Sequence, residues 1–180
     1  WGYITSCEDY YITSNNPIQP ITLIEGYYDD FTFDFGWTVS GGIFSPNDGI
    51  WQRGNPEGTS DNGVDYNPED DFSNDCYENA FVTGLSAGPQ TGSRDVDDAN
   101  TILTSPVLDL STSQSYILNY NIWFMNGFSW GGPANDSIVV SVSNGATTVD
   151  LDIITASSNN LSQWAPKSFD LSQYISLNNN

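Results

Sequence analysis

The sequence predicts an all-β protein, a jelly-roll β-sandwich of two antiparallel sheets. Apolar and polar residues alternate with period two over several runs in the second half of the chain. Clusters of Gly, Pro, Asn, Asp and Ser separate the apolar runs. No segment carries apolar residues at a convincing helical spacing. Because 180 residues fit one domain, we expect about eight to ten short strands packed as a sandwich or jelly roll.

Five strands are predicted in the first part of the chain, each bounded by turn residues. They are ITLIE (21–25), GWTVS (36–40), GIWQRG (49–54), NAFVTG (79–84) and TILTSPVLDL (101–110). The region 54–78 between the third and fourth strands has almost no apolar periodicity. Such long loops are usually functional or held by another group. Residues 1–19 are turn-rich and aperiodic, which is typical of a linker or the end of a preceding module, and the sandwich domain is expected over 20–180.

Three further strands alternate more clearly. In SYILNYNIWF (115–124) one face carries Tyr116, Leu118, Tyr120, Ile122 and Phe124. In DSIVVSVS (136–143) the inward residues are Ile138, Val140 and Val142. In TVDLDII (148–154) we expect Val149, Leu151 and Ile153 to point inward and Asp150 and Asp152 to point outward. The turn NGA (144–146) predicts that the last two strands form a hairpin.

Charge and composition exclude several classes of function. The chain has 23 acidic residues against three cations and a formal net charge of −20, so its field repels nucleic acid and anionic membrane surfaces. The cations are Arg53, Arg94 and Lys167. Because the sequence contains no histidine, it lacks the usual general base, the Ser-His-Asp triad and histidine metal sites. We therefore expect no enzyme, no nucleic-acid partner and no membrane insertion.

The two cysteines, Cys7 and Cys76, form one disulfide if the compartment is oxidising. The even count permits that bridge without showing it. The chain starts at Trp1 without a basic or apolar leader segment, so we expect any signal peptide to have been removed or to lie upstream. No stretch approaches the roughly 18 apolar residues of a membrane span.

Eight segments, taken in order, resemble MAM-like jelly rolls, similar to choice-of-anchor J domains. They are DDFTFDFGWTV, GIWQRGNPEGT, NPEDD, NAFVTG, DVDDANTILTSPVLDLS, YNIWFMN, ANDSIVVSVSNG and WAPKSFDLSQYI, which together span about residues 29–175. The resemblance implies a non-catalytic accessory domain of a secreted bacterial protein of Bacteroidota type. Such domains are often stabilised by calcium, and some follow the catalytic domain of a secreted zinc carboxypeptidase.

The chain departs from that family in three places. Where related domains often carry Asp-Phe-Glu, this chain has Asp30, Phe31 and Thr32, so one expected calcium ligand is missing. The loop that usually reads D-V-D-G-G is here DVDDA (95–99), with one more carboxylate and no glycine. Related domains also continue into another strand beyond DLSQYI. The final edge is therefore expected to be unpaired or to be covered by a strand from a partner.

A calcium site is expected where acidic loops meet. Ca²⁺ takes about six to eight oxygen ligands, which carboxylates on adjacent loop residues can supply. The predicted metal ligands are Asp95, Asp97 and Asp98, joined by Asp71 and Asp75 from the long loop and by Asp136 at a greater distance. The alternative is that both loops are solvated acidic tips without a metal ion.

Two other side chains are candidates for a site. Trp130 lies in the Gly-rich segment NGFSWGGPAND and is the tryptophan most exposed by its context, suited to stacking on a sugar ring. Trp37, Trp51, Trp123 and Trp164 are expected in the core because they fall on strand-like runs. The tripeptide DSI (136–138) resembles the O-glycosylation sites of Bacteroidota, which makes Ser137 the candidate serine.

Three functions follow from these observations. The first is a calcium-stabilised accessory or binding module, secreted or at the cell surface, whose partners are other domains of its parent protein or cell-surface components. The second is a structural subunit or adhesin that assembles through strands or faces. The third is a carbohydrate-binding module. Paired carboxylates can catalyse glycoside hydrolysis without histidine. Such a pair is weak evidence for that activity here, because 23 acidic residues make a chance pair nearly certain.

Overall fold

The computed structural model describes residues 2–4, 22–42, 49–72, 77–85, 91–92, 96, 100–111, 115–127, 135–159 and 162–176. Within these ranges the predicted fold class is confirmed. The chain is all-β, its strands pair antiparallel, and the arrangement is consistent with a jelly-roll β-sandwich. The described helical structure is one short α-helix and one 3₁₀ turn. Among the described residues, no helix has the length and apolar character that a membrane span requires.

Ten strands make up the described fold. They are β1 (Thr38–Gly42), β2 (Trp51–Gly54), β3 (Thr59–Asp61), β4 (Val64–Asn67), β5 (Ala80–Thr83), β6 (Asn100–Thr104), β7 (Ile117–Ile122), β8 (Ser137–Ser143), β9 (Thr148–Thr155) and β10 (Ala165–Asp170). The short helix α1 (Ala156–Asn159) follows β9, and the 3₁₀ turn (Leu171–Gln173) follows β10.

The strand pairs are nested in two sets. β1 pairs with β6, β2 with β5 and β3 with β4, so that the first six strands form one long hairpin folded back on itself. β7 pairs with β10 around the inner hairpin β8–β9 in the same way. A side-chain bond connects two pairs of the first set, because the Trp51 amide donates to Thr101 Oγ1 at 3.2 Å. Nested antiparallel returns of this kind build antiparallel sandwiches.

Glycine is required at one position of the β1–β6 pair. Gly41 has a φ of +130°, and a Cβ there would overlap the carbonyl oxygen of Asn100 on β6. The two backbones therefore approach each other where only glycine fits.

The hairpin β3–β4 lies inside the region predicted to be structureless. Asn62 and Gly63 form its two-residue turn with φ values of 51° and 79°, the positive values that a type I′ turn needs. The prediction of a loop is therefore wrong for residues 59–67. Its strands have three and four residues and are mostly polar, so they carry no periodic apolar signal. The Asn-Gly dipeptide was the available sign of a hairpin.

The predicted hairpin of the last two regular strands is confirmed as β8–β9. The prediction of which residues on β9 point inward needs one correction. The register shifts between Val140 and Ser141, so Leu151 is an extra residue on β9 and the alternation reverses after it. Asp152 therefore lies on the partly buried side, while Ile153, predicted to point inward, is 56% exposed.

The segment ITLIE was predicted to be a strand, and this is wrong for its described part. Residues 22–24 have no strand structure, and Leu23 and Ile24 are exposed. A single antiparallel bridge joins Glu25 to Tyr3, flanked by a bond of 2.8 Å from the Ile4 amide to the Ile24 carbonyl. Among the described residues, no strand pairs along residues 22–24 to bury one face of their apolar side chains.

The fully buried apolar side chains lie mainly around β9 and the end of β10. Ile154 is completely buried, and Leu151, Leu171 and Ile175 are nearly so. Beside them Tyr120 stacks on Phe169, with ring centroids 6.1 Å apart. This packing fixes the β7–β10 pair, whose far end forms one wall of the cleft described next.

Candidate functional site

A cleft of about 370 Å³ opens between the β3–β4 hairpin and the facing ends of β7 and β10. This size is at the lower end of the range for small-ligand sites. Its walls combine two indole rings with polar and acidic side chains. The lining residues are Gly58, Thr59, Ser60, Asp65, Asn67, Pro68, Glu69, Asp70, Asp71, Trp123 and Trp164.

The two tryptophans meet because of the strand register. Ile122 at the end of β7 pairs with Ala165 at the start of β10. Trp123 follows Ile122 and Trp164 precedes Ala165, so both tryptophans lie just beyond that last pair. Because the two strands are antiparallel, the tryptophans come close to each other. Their ring centroids are 6.0 Å apart and their planes make an angle of 75°. The rings therefore form a corner, with the edge of one against the face of the other.

The hairpin segment holds both indole N–H groups. Trp123 Nε1 donates to the Tyr66 carbonyl at 2.9 Å, and Trp164 Nε1 donates to the Asp70 carbonyl at 3.2 Å. Both rings are half-buried. Since the N–H group of each ring already donates to a backbone carbonyl, the ring surface that remains for contact in the cleft is apolar.

The opposite wall is acidic. Asp65 lies on β4, and Glu69, Asp70 and Asp71 follow it in the turn after the strand. Glu69 is held in place, because its Oε2 accepts the Gly58 amide at 3.0 Å. A Cβ on Gly58 would overlap that same oxygen, so glycine at this position lets the carboxylate approach the backbone.

Two polar residues that line the cleft are buried. Thr59 is only 2% exposed, and its Oγ1 accepts a bond of 3.1 Å from Asn67 Nδ2 across the hairpin. Asp71 is 8% exposed. The bond from Asn67 holds the Thr59 hydroxyl in place beside the cleft.

A second aromatic cluster lies near the start of the described chain. The Phe31 ring contacts Trp37 and Phe81 with centroids 5.6 and 5.1 Å away. Asp29 accepts bonds from Trp37 Nε1 and from the Phe31 amide, and burial raises the pKa of its carboxyl above the usual value. Arg53 Nη1 donates to the carbonyls of Phe31 and Thr32. These groups satisfy one another, so the cluster stabilises the fold around a Phe31 with a φ of +60°.

The predicted site residues have different outcomes. Asp95, Asp97, Asp98, Asp75, Trp130, Cys7 and Cys76 lie outside the described residues. Asp71 lines the cleft, whereas Asp136 accepts a bond of 3.2 Å from Asn126 Nδ2 just before β8. Ser137 is the exposed first residue of β8. Within the described ranges, no three or more His, Cys, Asp or Glu side chains are grouped so as to hold a metal ion. The calcium site, the disulfide and the glycosylation site stay predictions.

The expected core positions of two tryptophans need correction. Trp123 and Trp164 are half-buried and line a cleft rather than closing a core. The sequence placed both on strand-like runs, but they lie just past the last residue pair of β7 and β10. The available signal was the position of each tryptophan at the outer end of a strand-like segment, NIW (121–123) and WAP (164–166).

No family model, curated protein or solved structure matches the chain. Indole faces pack against flat apolar surfaces, while carboxylates, amides and hydroxyls bond to hydroxyl and amine groups. The cleft thus suits a ligand that is apolar on one face and rich in hydroxyls at its edge.

Proposed function

We propose that this chain is a non-catalytic module of a secreted or surface-attached protein and that it binds a glycan in the tryptophan cleft. One observation carries the proposal. Trp123 and Trp164 meet edge to face in a cleft that four carboxylates and the polar side chains of Thr59, Ser60 and Asn67 also line.

A glycan fits both walls because a sugar ring has two kinds of surface. The axial C–H groups of a pyranose make an apolar face that packs on indole, and its equatorial hydroxyls point outward to hydrogen-bond acceptors. The acceptors here are the carboxylates of Asp65, Asp70 and Glu69, with the Asn67 amide beside them. Because the rings and Glu69 are already fixed by backbone bonds, little ordering is needed on binding.

A binding role is favoured over catalysis by the composition of the chain. It contains no histidine, the commonest general base, and a carboxylate pair is weak evidence for hydrolysis in a chain with 23 acidic residues. The resemblance to MAM-like accessory domains supports the same choice, since such domains are appended to enzymes or surface proteins.

The test is isothermal titration of the purified chain with a panel of neutral oligosaccharides, including cello-, xylo-, manno- and chito-oligosaccharides. At least one is expected to bind and to change the tryptophan fluorescence. Trp164→Ala is expected to weaken that binding by roughly tenfold, because one stacking face is lost. The melting temperature of each variant shows whether it is folded.

Trp130→Ala is the matched control, since Trp130 is the stacking residue that the sequence favours. Loss of binding with Trp130→Ala and not with Trp164→Ala would move the site away from the cleft and overturn the proposal. Release of reducing ends from the same oligosaccharides would replace a binding function by hydrolysis.

One observation favours the rival function, a structural subunit. Val139 and Ile153 are direct cross-strand partners on β8 and β9, and they are 49% and 56% exposed. Two neighbouring apolar side chains on one open face suit contact with another surface. Light scattering after size exclusion decides between the functions: a monomer at micromolar concentration supports the binding module, and a persistent multimer or filament supports assembly.

A further inference from the structure

We infer that Asn62, in the turn of the β3–β4 hairpin, is a site of spontaneous deamidation and that its conversion to isoaspartate loosens the indole of Trp123. The modification requires water alone, and the inference does not depend on the ligand of the cleft. It rests on a comparison of the chain's three Asn-Gly dipeptides, on the exposure of this turn and on the path from the turn to the indole.

The reaction exchanges an amide for an acid within the chain. The backbone nitrogen of Gly63 loses its proton to base and bonds to the side-chain carbonyl carbon of Asn62, and the amide nitrogen of Asn62 leaves with a proton as ammonia. Water then opens the resulting cyclic imide at either of its carbonyls. One opening gives aspartate, and the other gives isoaspartate, whose backbone is longer by one carbon. Glycine after the asparagine favours the attack, because no Cβ shields the nitrogen.

The sequence has three Asn-Gly dipeptides, at 62–63, 126–127 and 144–145. The one at 144–145, in the β8–β9 turn, is held firmly. Asn144 is half-buried, its Oδ1 accepts two backbone amides at 3.1 and 2.9 Å, and its Nδ2 donates to the Ser176 carbonyl at 3.1 Å. The nitrogen that would attack there, that of Gly145, donates to Ser143 Oγ at 3.2 Å. Both reacting groups of this dipeptide are therefore bonded elsewhere.

Asn62 is the exposed asparagine of the three. Asn126 is half-buried, and its Nδ2 donates to the Asp136 carboxylate at 3.2 Å. The Nδ2 of Asn62 donates to the carboxylate of its neighbour Asp61 at 3.1 Å, and residues 60–65 are all exposed. A bond between two exposed side chains competes with water and restrains little, so the Asn62 amide is the one most available for reaction.

The β3–β4 turn should also open more readily than the β8–β9 turn. The attack requires the Asn62 side chain to rotate toward the following backbone nitrogen, so the turn must first loosen. β3 and β4 have three and four residues, and their register is irregular between Thr59 and Ser60. β8 and β9 have seven and eight residues. Local opening costs less free energy where few backbone bonds close a hairpin and solvent surrounds it.

Isoaspartate at this position would disturb the residues that hold Trp123. The two-residue turn pairs Asp61 directly with Val64, and a longer backbone between them cannot keep that register. β4 continues to Tyr66, whose carbonyl accepts the Trp123 indole N–H at 2.9 Å. A shift of β4 therefore displaces the acceptor of that bond, and the indole loses its backbone partner.

The experiment follows the three dipeptides by mass spectrometry while the purified chain is incubated at mildly alkaline pH. Cleavage after aromatic residues places them on separate peptides, 52–66, 125–128 and 131–164, and fragment ions locate the changed residue in each. We expect Asn62 to gain the mass difference between an amide and an acid. The other two should change roughly tenfold more slowly, because more hydrogen bonds must open first. Equal rates at the three sites, or a faster change at either of the others, would overturn the inference.

Two variants show which residue reacts. Asn62→Gln keeps the amide on a side chain that is longer by one carbon, so the cyclic intermediate would need a larger ring that forms slowly, and peptide 52–66 should stay unchanged. Asn144→Gln is the matched control and should leave the rate at Asn62 as in the wild type. Melting temperatures show that both variants are folded. Continued change of peptide 52–66 in Asn62→Gln would overturn the assignment to Asn62.

The effect on the indole is measured on the separated product. Ion exchange isolates the deamidated chain by its added negative charge, and an isoaspartate-specific methyltransferase measures its isoaspartate content. Asn62→Asp carries the same charge without the extra backbone carbon. We expect the isoaspartate form to show altered tryptophan fluorescence and a lower melting temperature, and Asn62→Asp to resemble the wild type. If Asn62→Asp changes the fluorescence as much as the isoaspartate form does, or if neither changes it, the proposed link from the turn to Trp123 is wrong.

Discussion

The Lys167 ammonium lies 3.0 Å from the Asp152 carboxylate, although the two residues belong to different strand pairs. Their side chains are only 20% and 18% exposed. The Tyr120 hydroxyl donates to the same carboxylate oxygen at 3.3 Å, and Tyr120 is the cross-strand partner of Lys167. This group connects β8–β9 to β7–β10, and the latter pair positions the two tryptophans of the cleft.

Removing the lysine charge should destabilise the protein. Lys167→Met keeps an unbranched apolar stem but leaves the Asp152 carboxylate partly buried, with the Tyr120 hydroxyl still donating to it. We expect a loss of about 2 kcal/mol in the free energy of unfolding, between the values for exposed and for fully buried ion pairs. Urea denaturation measures it. Glu57→Gln, at an exposed position, is the control and should stay within about 0.5 kcal/mol.

Pairing Lys167→Met with Asp152→Leu tests whether the charge is the cause. The double variant should recover part of the loss, because no unpaired charge is then buried. Equal stabilities of Lys167→Met and the wild type would show that the contact contributes nothing to the fold.

Tyr120 should make the protein sensitive to alkali. Burial raises the pKa of its phenol well above the usual value of 10.0, and the charge of Asp152 and the hydrogen bond donated to it act in the same direction. The folded state therefore keeps the phenol proton, so this contribution is full below about pH 10 and is lost as the pH rises further. The Lys167 ammonium faces the same Asp152 carboxylate.

The measurement is the free energy of unfolding at neutral pH and at about pH 11, for wild type and Tyr120→Phe. The wild type should lose more stability between the two, since only it must release a buried phenol proton. Identical losses would mean that Tyr120 titrates normally and that its contact with Asp152 is absent in solution.

The alternation of residues predicted the strands of the second half but not the position of Asp152. Period two places Leu118, Tyr120 and Ile122 on one face of β7, as the structure has them. On β9 the same rule fails after Leu151, because one extra residue reverses the two faces. A bulge leaves no clear mark in a single sequence, so the partner of Lys167 could not be assigned from it.

The position of the cleft was harder to predict than that of Asp152, because the cleft depends on pairing between segments that are distant in the chain. The acidic cluster after residue 68 was visible, and so were the tryptophans. Their meeting depends on the β7–β10 register and on a hairpin of mostly polar residues, β3–β4. Register is set by tertiary packing that one sequence does not display.

Gly127 should be required for the shape of the cleft. A Cβ at this position would overlap the Tyr66 ring, and the Tyr66 carbonyl holds the indole of Trp123. We expect Gly127→Ala to cost about 1–3 kcal/mol in the free energy of unfolding, as overpacking usually does. It should also weaken ligand binding in the titration described above.

The combination of Gly127→Ala with Tyr66→Leu is the control, because the smaller side chain removes the overlap. Recovery of stability in the double variant supports the contact. If Gly127→Ala binds and melts like the wild type, the ring of Tyr66 does not press on Gly127, and the anchoring of Trp123 has to be explained differently.

The calcium prediction concerns the crowded carboxylates of Asp95, Asp97 and Asp98, which lie outside the described residues, and its described members are Asp71 and Asp136. Carboxylates this close raise one another's pKa and destabilise a fold unless a cation lies among them. A bound ion instead stabilises the folded state, by about 2.7 kcal/mol when its concentration is a hundred times its Kd. For a domain of this size, that shifts the melting temperature by several degrees.

Melting curves in excess EDTA and in millimolar calcium, for wild type and Asp97→Asn, test this prediction. The wild type should melt several degrees higher with calcium, and Asp97→Asn should lose most of that difference because a charged ligand is gone. Asp150→Asn, an exposed carboxylate on β9, is the matched control and should keep it. If chelation leaves the wild-type midpoint unmoved and elemental analysis recovers no metal, the loop is a solvated acidic turn, and its crowding is a cost that the rest of the fold offsets.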